Sequence, residues 1–223
     1  LNVHAAYICL RNTRRAGIFP SIMTAPPDQS LIDAMRDGLL TGDLGPLAAP
    51  FLKHGLRPPV VKWNPAPDEL PTKQLPFVLN LWRSLRDSNG RVAPGQIDPF
   101  LLRPALGYIL LMDVLDDGAD FYYRLYGSEV ARVAGFDMTG KRTSQIVTGS
   151  LAGNFYIAGY RALLQRPEPM FTWHEMPMQI TINNWDRIVL PLTGPDGRVT
   201  RILACNMPGP PLILQEDDSR RQK

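Results

Sequence analysis

Two short turns constrain this chain more than any other feature. Asp116-Asp117-Gly118 separates the apolar run 108–115 from the aromatic-rich run 121–126, and Gly194-Pro195-Asp196-Gly197 separates 181–192 from 199–207. The flanking runs carry the aliphatic, β-branched and aromatic residues that suit a pleated, half-buried surface. Gly, Pro and Asp supply the backbone freedom and local hydrogen bonds of tight turns. Connections this short join antiparallel neighbours, because a parallel return needs a crossover of about a dozen residues or more. A further strand is expected over 170–176, so the C-terminal part of the chain reads as an antiparallel sheet.

Helical patterns fill the gaps between these runs. Ser128 can cap a helix over 129–134 that Gly135 stops. A longer helix is expected over 150–166, ended by Pro167, with Leu151, Phe155, Ala158, Ala162 and Leu163 among its apolar positions. Upstream, Leu75, Val78, Leu79, Trp82 and Leu85 recur at helical spacing, with Lys73, Arg83, Arg86 and Asp87 elsewhere around the wheel. That stripe must cover either its own domain or a partner subunit. Asp98-Pro99 opens one or two further helical turns. The fold class that follows is α+β: a five-stranded antiparallel sheet with helices on one face, preceded by an amphipathic helix.

The first 71 residues have a different character. Eleven of the 22 prolines fall within the first 76 positions. Proline removes a backbone donor and disfavours helix in the residue before it, so residues 1–71 are expected to be poorly ordered. The exception is a short helix starting at Ser30-Leu31-Ile32-Asp33 and running to about Leu40. The domain proper is expected over 72–210, followed by a polar tail over 211–223. Met23 is a candidate initiator, which would make residues 1–22 an upstream extension.

The formal charge is +3, with no long stripe of Lys and Arg. Nucleic acid is therefore not an expected partner, since its affinity comes largely from neutralised phosphates. Nor is a membrane, because no apolar run approaches the eighteen or so residues that span one. The stretch 5–10 precedes its basic residues, the reverse of a secretory leader. Cys9 and Cys205 fit no metal spacing, and few cysteines suit a reducing, cytoplasmic setting. The chain has no Gly-x-Ser-x-Gly elbow, no phosphate-cradling Gly-Lys-Ser/Thr loop and no His-Glu-x-x-His. His174-Glu175 lies in an expected strand, where neighbours point to opposite faces and do not readily cooperate. No catalytic or metal-binding residue is assigned, and the chain reads as a non-enzyme.

Several segments carry a resemblance. Leu81-Trp82-Arg83-Ser84-Leu85-Arg86 is similar to the tryptophan-bearing opening helix of a stand-alone PAS family common in alphaproteobacteria. Ile97-Asp98-Pro99 with Leu102-Arg103-Pro104 resembles its next landmark. Tyr123-Arg124-Leu125-Tyr126-Gly127 resembles its second strand, and Gly135-Phe136-Asp137-Met138-Thr139-Gly140 its Gly-x-Asp-x-Thr-Gly loop. Leu190-Pro191-Leu192 followed by Asp196-Gly197-Arg198-Val199 resembles its closing hairpin. The similarity spans about 75–207, and nothing before Thr72 shares in it.

The resemblance implies a regulatory sensory or interaction module. Its expected partners are a signalling protein, such as a sensor kinase or other regulator, a small-molecule ligand, and a second copy in a homodimer. The cofactor is unidentified. Flavin is not expected, because the reactive Asn-Cys-Arg context of photosensory PAS domains is missing, and haem is not expected at His174. Strand alternation with Arg124 and Asp113 outward places Tyr123, Leu125 and Leu111 inward. Met138, Phe155, Tyr156 and Trp173 complete the candidate pocket. Leu75, Val78, Leu79 and Trp82 form the candidate interaction face. A small-metabolite enzyme and a ligand-free structural adaptor are the alternative readings.

Overall fold

A computed structural model describes residues 27–146, 150–178 and 181–209. The expected upstream extension over 1–22 and the tail over 211–223 lie outside the described residues. In chain order the elements are α1 (Gln29–Thr41), α2 (Gly45–Lys53), β1 (Val60–Trp63), α3 (Gln74–Ser84), β2 (Ile109–Leu115), β3 (Asp120–Tyr126), α4 (Ser128–Ala134), α5 (Thr143–Ile146), α6 (Leu151–Gln165), β4 (Met170–Met178), β5 (Thr181–Thr193) and β6 (Val199–Pro208). The strands form one sheet in the order β1-β4-β5-β6-β2-β3, with every neighbour antiparallel.

The two turns do what their sequences demand. Asp116 and Asp117 adopt positive φ of 48° and 54°, and Gly197 has φ 86°. The Gly194 amide donates to the Arg198 carbonyl at 2.8 Å, closing the β5–β6 hairpin. All five strands expected from the sequence are present, and β1 makes a sixth at the edge of β4.

Strand alternation sends side chains to two separate cores. The inner face holds Leu110, Met112, Met170, Val189, Ile202 and Ala204, covered by α6, α1 and α2. The outer face holds Ile109, Phe171, Ile188, Leu190, Leu203 and Cys205, covered by α3. Thus α4 and α6 lie on one side of the sheet, while the preceding amphipathic helix closes the other. Leu75, Val78, Leu79 and Trp82 are all buried there, each contributing roughly 1.5–3 kcal/mol. The Trp82 indole N–H also donates to the Pro191 carbonyl at 2.9 Å. The stripe on α3 therefore serves its own domain.

The expectation of poor order over 1–71 is corrected for the described part of that region. Helix α1 is capped by Asp28, whose carboxylate accepts from the Leu31 amide at 3.0 Å, and it ends at Gly42 with φ 84°. Helix α2 contains Pro46 and Pro50. Pro46 falls in the first turn, where no intrahelical N–H bond is lost. Pro50 is tolerated in so short a helix because Leu47 and Phe51 are fully buried, with Phe51 edge-on to Phe155 of α6 at 5.4 Å. Strand β1 lies between prolines and takes an edge, the position open to a strand so bounded. From α1 onward this region shares a core with the rest of the chain, rather than preceding it as a loose segment.

Candidate functional site: a buried arginine among tyrosines

The inner face of β4, β5 and β6 is apolar except for one patch. Register places Thr172 of β4 opposite Arg187 of β5, and Arg187 opposite Asn206 of β6, so three polar side chains stand in a row across the strands. His174 lies two residues beyond Thr172 and so faces the same way. Arg187 is 1% exposed and His174 0%.

Helix α6 lays two tyrosines over this row. Tyr156 and Tyr160 are four residues apart and share a helix face. The Arg187 guanidinium carbon lies 4.7 Å from the centroid of each ring. The Tyr156 hydroxyl is 3.0 Å from His174 Nε2, and the Tyr160 hydroxyl is 3.1 Å from that of Tyr123. Phe155 packs on the imidazole at 4.9 Å between ring centroids.

The tyrosine faces attract the cation but accept none of its N–H groups in ordinary hydrogen bonds. Nε and Nη2 of Arg187 have no hydrogen-bond partner; nor do His174 Nδ1, Thr172 Oγ1 and Asn206 Oδ1. Among the described residues no carboxylate pairs with Arg187. The other buried charge among the described residues behaves differently: Glu175, facing the outer side, accepts from the Arg57 backbone amide at 2.7 Å and from its Nε at 2.6 Å.

Burial also fixes the charge of the neighbours. Desolvation, and then the charge of Arg187, drive the His174 pKa well below its ordinary value, so the imidazole is neutral near pH 7. Desolvation raises the phenols of Tyr123, Tyr126 and Tyr156, keeping them protonated. A guanidinium does not give up its proton in proteins. The patch therefore carries one positive charge and several unmet donors, a combination that is costly in an apolar interior.

The candidate pocket residues divide between the two faces. Tyr123, Met138 and Phe155 are buried in the inner core, with Tyr156 packed against it. Leu111, Leu125 and Trp173 belong to the outer core instead. Leu111 lies two residues from Asp113 on an uninterrupted strand, so alternation itself puts it on that residue's outward face and the inward expectation is corrected. For Leu125 the reason is a β-bulge: Leu111 pairs with Leu125 but Met112 pairs with Tyr123, leaving Arg124 as an extra residue. One inserted residue reverses the facing of everything beyond it, so Tyr123 and Leu125 point opposite ways. Arg124 itself donates to Asp113 at 2.5 Å, and Asp113 also accepts from Arg201 at 2.7 Å. Trp173 lies under the Arg57 guanidinium at 4.5 Å. Arg187, Thr172, Asn206 and Tyr160 were not among the sequence candidates. The available signal was one charge, Arg187, directly before five apolar residues of a long strand.

Other groups fit less well as a site. Cys205 is buried on the outer face, where desolvation pushes its thiol up to about 12, so it is protonated and inert. A surface cleft of about 340 Å³ lies among α1, the β2–β3 turn and the end of α6, lined in part by Asp33, Arg36, Asp117 and Arg161. Several of its charges are paired, Asp33 with Arg36 at 2.7 Å and with Arg161 at 3.7 Å, and Asp117 with Arg198 at 3.2 Å. Among the described residues no three of His, Cys, Asp and Glu gather in a metal-binding group, and no helix is long and apolar enough to cross a membrane.

No family model matches the chain, and no curated protein is similar to it. Among solved structures it is similar to an RNA-binding light-oxygen-voltage receptor, at 15% identity over 55% of this chain and 35% of that one, with a TM-score of 0.38. It is also similar to a light-oxygen-voltage domain whose mechanism was probed with a flavin analogue, at 13% identity over 49% of this chain and 82% of that one, with a TM-score of 0.36. Superpositions this loose transfer neither a ligand nor an activity. This chain spans about a third of the length of the first of them, in line with the 35% aligned.

Proposed function

We propose that this protein is a regulatory PAS-type sensory module that binds a small molecule between α6 and the inner face of β4, β5 and β6. The single observation that carries this reading is Arg187, a fully buried cation with unmet N–H groups and no counter-charge among the described residues. Interiors keep charges that are paired, and a binding site is where an unpaired one has a use. The ordered PAS-like motifs support the finer assignment to the stand-alone alphaproteobacterial family, acting in the cytoplasm on a signalling partner such as a sensor kinase. A ligand that prefers one spacing of α6 and the sheet would shift the population toward it, and the partner would read that difference. A regulatory role is favoured over catalysis because the hydrogen bond of neutral His174 goes to a tyrosine, not to a nucleophile or carboxylate. Self-association through the α3 stripe forms no part of the proposal, since those side chains are buried within the chain.

The test is to purify the chain without denaturant, record its visible spectrum, and identify retained small molecules by native mass spectrometry before and after unfolding. A molecule released on unfolding, absent from an Arg187→Met preparation, supports the reading. A protein that neither retains nor takes up any small molecule from cell extract refutes it and leaves the structural adaptor.

A further inference from the structure

Resting on that reading, we infer that the ligand is a small organic acid bearing a single carboxylate, gripped edge-on by Nε–H and Nη2–H of Arg187. These two N–H groups lie on one edge of the planar guanidinium and point the same way. Their spacing matches the two oxygens of a carboxylate, the pairing in which arginine is most selective. Both lack a partner among the described residues. The ring faces of Tyr156 and Tyr160 already contact the cation, so its unused capacity lies along that edge.

The charge count selects a monoanion. One guanidinium faces neutral tyrosines and a neutral imidazole, so one negative charge restores balance. A phosphate group carries roughly −1.5 to −2 at pH 7 and would leave an excess charge buried. The remaining donors fit the same occupant. Thr172 Oγ1 is adjacent across the ladder and unpartnered. When the Tyr156 hydroxyl donates to His174 Nε2, the imidazole proton resides on Nδ1, which then has a hydrogen to offer. Asn206 can present its amide N–H₂ by rotating its side-chain amide. Around this polar centre stand Phe155, Tyr156, Tyr160 and Tyr123, so the body attached to the carboxylate is apolar or aromatic. Arg187, His174, Thr172 and Asn206 are all buried, with Tyr156 the partly exposed member above them, so admission requires α6 and β5 to part. Association is then slower than the usual encounter of a small molecule with an open cleft.

The experiment uses the full chain, stripped of bound molecules by unfolding and refolding, with benzoate and hexanoate as probes. Benzamide, hexanol and inorganic phosphate are the controls. Binding is read by calorimetry and thermal melts, and the Arg187 Nε–H resonance reports on the guanidinium edge. The expected result is a rise in wild-type melting temperature of about 2–4 °C or more with either carboxylate, and a downfield shift of that resonance. The controls should produce neither. Arg187→Met, checked for folding by circular dichroism, should lose the response, and Arg187→Lys should weaken it at least about tenfold by losing the fork. Failure of both acids to bind, or equal binding by wild type and Arg187→Met, overturns the inference. If benzamide, hexanol or a retained neutral molecule binds instead, the inference falls while the ligand-binding module stands. If no probe binds and native mass spectrometry finds no retained molecule, both fall.

Discussion

Replacing Arg187 by methionine should stabilise the ligand-free protein, although it removes the residue on which the proposed binding depends. The wild-type side chain is 1% exposed, has no carboxylate partner among the described residues, and leaves Nε and Nη2 unbonded. Each unmet buried donor costs about 1–3 kcal/mol, and desolvating an unpaired ion costs several more. Against this stand two ring contacts at 4.7 Å, each returning about 0.5–2 kcal/mol. Methionine keeps most of the aliphatic stem, drops the charge and the donors, and loses the ring attraction. The balance favours the variant by about 1–4 kcal/mol, the range found when buried ionic groups give way to well-packed apolar ones. In a domain of about 150–250 residues each kcal/mol moves the melting temperature by about 2–4 °C, so a rise of about 2–16 °C is expected. Differential scanning calorimetry on refolded, ligand-stripped protein measures it, with denaturant titration as a second probe. A melting temperature lower than wild type by more than about 2 °C would show that the charge is compensated within the protein, and the reasoning from an unpaired cation would fail.

Other consequences are independent of the ligand. Trp82→Ala should cost about 3–5 kcal/mol in urea titrations, because it empties the outer core and leaves the Pro191 carbonyl without the indole bond; a loss below about 1 kcal/mol would mean α3 is not docked as described. His174 is neutral when folded, with its pKa pushed well below the ordinary 6.5. The unfolded chain therefore takes up a proton below about pH 6.5 that the native state refuses, and this residue's contribution makes stability fall on acidification by up to about 1.4 kcal/mol per pH unit. Denaturant titrations at several pH values should show a shallower acid-side slope for His174→Gln than for wild type, and equal slopes would remove the buried neutral imidazole from the account. Gly127→Ala should destabilise by about 1–3 kcal/mol, because an added Cβ would lie 2.3 Å from the Gly107 carbonyl oxygen; an unchanged melting temperature would contradict that close approach.

How much of this was legible in the sequence depended on whether the deciding physics was local. The β2–β3 and β5–β6 hairpins were readable because their turn residues and flanking runs are contiguous, and the strands fall within about two residues of expectation. The stop of α4 was readable too: Gly135 takes the left-handed conformation at φ 82°. The need for a glycine at Gly127 was not legible. Its φ of −52° is open to any residue, and glycine is needed there because Gly107 passes so close, a contact between distant parts of the chain. The bulge at Arg124 has no local signature, and it moved Leu125 to the far face; Leu111 needed no bulge, since it stands two residues from outward-facing Asp113. The order of residues 28–63 was hidden because proline was weighed without its position, and Pro46 occupies the one helical turn that tolerates it. Arg187 escaped notice because β5 is covered on both faces. With apolar residues on each side, the period-two contrast that would mark a lone inward charge is lost.

The row Thr172–Arg187–Asn206 has a mechanical corollary. Its members sit on three strands bound to one another by a continuous ladder, so their spacing is as rigid as the backbone. Tyr156 and Tyr160 belong to α6, which touches that row through side chains alone and is packed laterally against α1 and α2. An occupant of the kind proposed would meet less resistance from the helix than from the strands, and would lift α6. That displacement would pass to α1 and α2, which pack on the helix, the very segment whose prolines had argued against its having any fixed form.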